Sequence, residues 1–130
     1  MAFLEHPAAL VGLIFVLGGL GSVIRYVAAQ AAPYGLVFVN MAGSVLLGII
    51  ASLSVLDTTS GVGLLLATGL CGGLTTFSTV MVLWAQDLHQ RRIRHLLRSI
   101  RLHLFTGLLA AAVGLFLGTV LEPLLAPVLG

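Results

Sequence analysis

The chain has 130 residues, 59% hydrophobic and 8% charged, with a formal net charge of +2 and a mean hydropathy of +1.17. A soluble domain carries about 25% charged residues, so this composition cannot cover a water-facing surface and leaves no room for a soluble enzyme. It reads as an integral membrane protein, all-α, in one compact domain over 1–130.

Met1 to His6 lacks the basic stretch of a signal peptide, so no cleavage is expected. About 20 apolar residues span the hydrocarbon of a bilayer, and the uncharged runs divide into four such spans. The first, near 8–30, is uncharged from Pro7 to Ile24 and is then interrupted by Arg25. Pro33-Tyr34-Gly35 punctuates the chain, and the loop Ala31–Gly35 leads into a second span near 36–56. The loop Asp57–Gly61 precedes a third span near 62–86, and the loop Asp87–Arg101 precedes a fourth near 102–121. Glu122-Pro123 is expected to end the last helix. Cys71 stands alone, forms no intrachain disulfide, and reads as a small apolar packing residue.

Small residues recur at interface spacing: Ser44 and Gly48, Gly69 and Gly73, then Ala110, Gly114 and Gly118. Such rows let helices approach closely in lipid. Four short helices make a poor pore alone, so oligomerisation is expected. Arg91, Arg92, Arg94, Arg98 and Arg101 all fall between the third and fourth spans, while the N-terminus, second loop and C-terminus hold no Lys or Arg. Short basic loops stay cytoplasmic, which places that loop inside and both termini outside. At helical spacing Arg91, Arg94, Arg98 and Arg101 share one face and Ile93, Leu97, Ile100 and Leu104 the other. That pattern suits an amphipathic turn lying on anionic headgroups, and a basic surface abutting the bilayer argues against nucleic acid.

The third span carries the most informative run, G-L-C-G-G-L-T-T-F-S-T from Gly69 to Thr79. Its glycines loosen the backbone, and its hydroxyls and ring then follow, a mixture from which a lipid-facing helix gains nothing. Non-helical backbone at membrane depth survives only inside protein or beside water, so a break and an ion pathway are predicted here. Gly72, Gly73, Thr75 and Thr76 can unwind to expose carbonyls, as broken helices do around Na⁺. Phe77, Ser78 and Thr79 then present O–H and N–H donors and a positive ring edge. A dehydrated small anion needs that set with no carboxylate nearby, and Glu5, Asp57, Asp87 and Glu122 all lie at or outside the span ends. Arg25, as an intramembrane charge, either snorkels to the interface beside Tyr26 or forms an electropositive vestibule or interhelical anchor. Asn40, near the start of the second span, suits an interhelical hydrogen bond or a direct ion contact. His89, His95 and His103 are spaced too irregularly for a metal site and read as interfacial. No nucleophile–base pair supports catalysis.

Three blocks, G-G-L-G-S-V-I-R-Y (Gly18–Tyr26), V-N-M-A-G-S (Val39–Ser44) and the Gly69–Thr79 run, resemble the signature blocks of the Fluc/CrcB fluoride channels, in order and over nearly the whole chain. The resemblance implies an antiparallel, dual-topology dimer with two fluoride pores and a structural Na⁺ at its interface. By it, Gly72 and Thr75 would give backbone carbonyls to Na⁺. Asn40, Phe77, Ser78 and Thr79 would line the fluoride path, and Arg25 would serve a positive vestibule or hold structure there. The chain departs from the family where Val80 and Leu83 replace a usual phenylalanine and a frequent acid. Its fourth span offers mainly His103 and Thr106 in place of a polar track. With the arginine bias, which predicts a single orientation, these departures suggest a subunit that pairs with a separately encoded paralogue of opposite topology. The alternative is a homodimer in which the bias is tolerated. A non-conducting partner subunit is a further reading. Small four-helix drug/proton antiporters share the size but need a membrane-embedded glutamate, and Glu5 lies too near the terminus.

Overall fold

In the computed structural model the described residues are 6–53, 56 and 61–129. Among them there is no strand, and four helical segments are long and apolar enough to cross a membrane: Pro7–Ala31, Gly35–Ser52, Gly61–His89 and Ile93–Leu125. Glu5, Asp57 and most of the second predicted loop lie outside the described residues.

Helix α1 (Pro7–Ala31) opens with proline at its first position, where the missing N–H costs nothing, and ends at the extended Ala32 ahead of Pro33. Helix α2 (Gly35–Ser52) follows at once. The turn is so tight that a Cβ at Gly35 would run into the Ala28 carbonyl. α2 ends at Ser52, short of the predicted 56, and the Ser52 hydroxyl donates back to the Gly48 and Ile49 carbonyls, both at 3.0 Å.

The third span is not one regular helix. It begins as α3 (Gly61–Leu64), widens into a π-helical stretch (Leu65–Cys71) and closes with a single turn, α4 (Gly72–Leu74). Thr75 to Phe77 are non-helical before α5 (Ser78–His89) resumes. The break predicted from the Gly69–Thr79 run is therefore present at Thr75–Phe77, and π-helical turns are themselves frequent at functional sites.

Where the sequence suggested a loop over Asp87–Arg101, α5 runs on to His89, a short turn covers 90–92, and α6 (Ile93–Leu129) starts directly after it. Three contacts hold this hairpin. Arg91 takes a left-handed φ of 54°. Buried Asp87 accepts from Arg92 Nη2 at 2.8 Å and pairs with His95 Nδ1 at 2.6 Å. Trp84 Nε1 donates to Ser99 Oγ at 3.0 Å. His95 is thus engaged rather than simply solvated. Nor does Glu122-Pro123 end the last helix, because α6 continues through Pro123 and Pro127. The residues beyond, Leu124 and Leu125, are still apolar, and inside lipid a helix is the conformation that satisfies their backbone. At 37 residues α6 is about 55 Å long, well beyond a hydrocarbon core of about 30 Å. That excess length is enough for its arginine-bearing first turns to extend past the hydrocarbon.

Two glycine-lined crossings place these elements. α1 meets the third span where Gly18 and Gly21 face Gly73 and the Leu70–Leu74 backbone: a Cβ on Gly21 would lie 2.7 Å from the Leu70 carbonyl oxygen. α2 meets α6 where a Cβ on Gly48 would lie 2.6 Å from the Ala111 carbonyl oxygen and 2.8 Å from the Leu115 nitrogen, with Gly114 and Gly118 opposite Val45 and Ser52. Close backbone approach at small residues is how helices gain packing energy where lipid supplies no hydrophobic drive.

Candidate functional site

The break would strand its backbone groups if neighbouring helices did not meet them. Asn40 of α2 does so twice. Its Oδ1 accepts from Thr76 N–H at 2.9 Å, and its Nδ2 donates to the Thr76 carbonyl at 3.2 Å. One side-chain amide thereby replaces both partners a helix would have given this residue. Arg25 of α1 reaches the same place: Nη1 donates to the carbonyls of Gly73 at 2.7 Å and Thr75 at 3.1 Å, with Ser22 Oγ 3.4 Å from Gly73 O. Half-buried Arg25 therefore ties α1 to the broken span instead of extending to the interface.

Thr75 is seated against α2 at Gly43, where any Cβ would collide with its methyl group. Its hydroxyl and its N–H both turn back to Cys71 O, at 2.9 and 3.0 Å. Because Thr76 N–H is given to Asn40, the Gly72 carbonyl loses its usual i+4 donor. Beyond the break, Thr76 Oγ1 lies 3.2 Å from Ser78 Oγ and 3.1 Å from Thr79 Oγ1 and accepts from Thr79 N–H at 3.3 Å. Thr76 thus caps α5 with its side chain, a role its sequence position did not announce.

A crevice of about 340 Å³ opens beside the break. Asn40, Gly72, Thr75 and Phe77 line it. Ser78 and Thr79 do not: they are exposed next to the Thr76 hydroxyl, outside the crevice wall. Phe77 is 70% exposed, so nothing in a single chain covers its ring. Val80, in the position of the missing phenylalanine, is buried at 3% and lines the crevice with Trp84, one turn along the same face of α5. An aromatic ring is therefore present, one turn closer to the hairpin. Leu83, at the position of the frequent acid, is exposed and faces a different cavity.

Opposite Trp84 stands His103, whose ring meets the indole edge-on with centroids 6.3 Å apart and planes at 72°. His103 is the residue common to this crevice and to a smaller one, of about 190 Å³, that leads to His95 and Arg98 at the hairpin. It is partly buried and packs against Trp84 between the two cavities. No Asp or Glu lines the main crevice, and among the described residues no three His, Cys, Asp or Glu side chains converge as a metal cluster. Thr106, the other polar residue noted on the fourth span, turns its hydroxyl to Leu102 O at 2.6 Å. Trp84 carried no signal in the sequence, and its pairing with His103 was not legible there because the two sit on different elements that the tight 90–92 turn brings together.

The sequence profile of the family described as "CrcB-like protein, Camphor Resistance (CrcB)" matches residues 12–115. The "Fluoride-specific ion channel FluC" of Chlorobium chlorochromatii (strain CaD3) is 38% identical over 122 residues, 87% of this chain and 92% of that one. "Fluoride-specific ion channel FluC 2" of Mycobacterium tuberculosis (strain ATCC 25618 / H37Rv) is 34% identical over 109 residues, 78% of this chain and 84% of that one. The FluC of Chlorobaculum tepidum is 47% identical over a shorter stretch of 73 residues, 49% of this chain and 58% of that one.

Proposed function

The chain belongs to the CrcB family, and from that premise we propose that it is a subunit of a fluoride-selective channel through which cytoplasmic F⁻ leaves the cell passively. The family is one of ion channels and not of enzymes. The observation that carries the reading is the double hydrogen bond of Asn40 to Thr76. It holds a stretch of backbone unwound beside a carboxylate-free crevice, where donors and a ring edge are offered to an anion.

Hydrogen fluoride crosses membranes as the neutral acid and dissociates in the less acidic cytoplasm, which traps the anion. A path that passes F⁻ and rejects Cl⁻ relieves the trap without collapsing the membrane potential. Asn40, Phe77, Ser78 and Thr79 line that path in this reading. Asn40 keeps one Nδ2 proton beyond the one given to Thr76, and the uncovered Phe77 ring has its positive edge free. Selectivity follows from a narrow, donor-lined constriction. Arg25 keeps positive charge at the break while fixing it to α1.

Exposed Phe77, Ser78 and Thr79 call for a second copy or a paralogue in antiparallel orientation to close the path. Na⁺ fits the Gly72 and Thr75 carbonyls in donor chemistry, since hard oxygens suit a hard cation. The Gly72 oxygen lacks its helical donor, and the Thr75 oxygen keeps a lone pair beyond its bond to Arg25. The ion would supply a fixed positive charge and would not be transported. Two oxygens from one chain are too few to complete its shell, which again favours a dimer interface. The cell membrane is the location, with the Arg91–Arg101 segment cytoplasmic and both termini outside.

One observation favours a second reading, a half-pore or non-conducting subunit completed by a paralogue. Every Lys or Arg except Arg25 falls in the segment 91–101 between the third and fourth spans, which suits a single orientation. Expression in cells lacking fluoride exporters separates the two. Growth in fluoride restored by this chain alone supports a self-sufficient channel, and restoration only with the paralogue supports the half-pore. No restoration in either case would contradict both.

A further inference from the structure

On the face of the α2–α6 pair away from the break lies a larger groove of about 880 Å³, floored by Phe38, Met41, Phe105 and Leu108. Phe38, Phe105 and Leu108 are 63–73% exposed, so the chain itself does not cover them. At one end the groove is lined by Arg98, Arg101 and Tyr34. Arg98, Arg101, Phe105 and Leu108 succeed each other at helical spacing along one face of α6. That face changes from cationic to apolar along the helix axis, not around it. From Arg98 to Leu108 the helix rises about 15 Å, half of a hydrocarbon core about 30 Å thick. The groove therefore has the length of one leaflet, with its charge at the headgroup end.

We propose that this groove is a binding site for an anionic phospholipid, its phosphate held by Arg98 and Arg101 and one acyl chain laid over Phe38, Phe105 and Leu108. Both guanidinia are exposed and neither pairs with a described carboxylate, whereas Arg92 is committed to Asp87. A second copy of the chain is a poorer occupant. It would desolvate both arginines, yet the whole sequence has four acids, of which Asp87 is already held by Arg92 and His95. Basic pockets between membrane helices commonly hold such headgroups, and here the acyl chain adds the apolar area. The groove shares Leu104 with the crevice at the break and Arg98 with the smaller one, but lipid binding there does not depend on conduction.

The test is native mass spectrometry of the purified full chain titrated with phosphatidylglycerol or phosphatidylcholine. Phosphatidylglycerol should bind more tightly. The double variant R98Q/R101Q should weaken it roughly 30-fold, the loss of two surface cations. R98K/R101K should retain most of the affinity, and R91Q/R94Q, which removes the same charge outside the groove, should leave it nearly unchanged. Leu108→Trp, which fills the floor and spares both arginines, should weaken binding of either lipid. Equal affinity for the two lipids, or equal losses in R98Q/R101Q and R91Q/R94Q, would overturn the proposal. So would displacement by glycerol phosphate, which marks a free-phosphate site, or disulfide-linked dimers of Leu108→Cys in vesicles, which assign the groove to a second copy.

Discussion

Asn40→Ala removes the one side chain that satisfies both backbone groups of Thr76, at 2.9 and 3.2 Å. An unpaired buried backbone group costs about 1–3 kcal/mol, so two of them cost roughly 2–6 kcal/mol at a dry break, with the lower end applying where crevice water substitutes. α2 and the third span also meet at Gly43 and Thr75, so the helices stay packed and the loss concentrates at the break. The expected outcome is a lowered unfolding midpoint in detergent, rapid deuterium exchange at the Thr76 amide, and fluoride conduction reduced more than stability alone accounts for. Asn40→Asp should be worse for conduction: it keeps an acceptor for Thr76 N–H but turns a carboxylate oxygen toward the Thr76 carbonyl and toward the anion path. An Asn40→Ala protein with the wild-type midpoint and a still-protected Thr76 amide would refute the clamp.

Arg25→Lys should keep part of the stability, since one ammonium can still reach a carbonyl, while Arg25→Ala forfeits both bonds to Gly73 and Thr75. Hydrogen bonds from a charged donor are worth about 1.5–3 kcal/mol, and equal denaturation curves for the two variants would contradict this ordering. Gly73→Ala places a Cβ 2.8 Å from the Gly18 Cα and against its carbonyl, an overpacking that costs about 1–3 kcal/mol. Gly19→Ala, with nothing within 4 Å, is the control and should show no comparable loss in the same melt. Purification in N-methylglucamine salts without Na⁺ should lower fluoride flux and dissociate dimers on size-exclusion, and flux identical in the two salts would remove Na⁺ from the account.

The parts of the structure that follow from local pattern were legible beforehand. Apolar runs bounded by Arg25, Pro33 and Asp87 locate the spans, and the glycine-then-threonine run marks the break, because composition alone opposes a continuous helix there. Long-range geometry was not legible. Asn40 was expected to bond across helices or touch an ion. That it would take both the N–H and the C=O of Thr76 depends on the α2 crossing, which is set by the Gly43 contact with Thr75. Charge density made residues 87–101 read as a loop. The segment is helical from Ile93 because Asp87 draws Arg92 and His95 back onto α5 and Trp84 holds Ser99. Pro123 misled in the same way: a residue that disfavours helix in water does not end one where the alternative is bare backbone in lipid.

Whether the chain conducts fluoride is read from F⁻ efflux out of liposomes containing only this purified chain, with chloride efflux as the parallel control. Release of F⁻ that stops in Asn40→Asp, with Cl⁻ retained throughout, is the predicted result. Matching release of both ions would contradict selectivity, and folded protein that releases neither, with or without its paralogue, would contradict the channel itself.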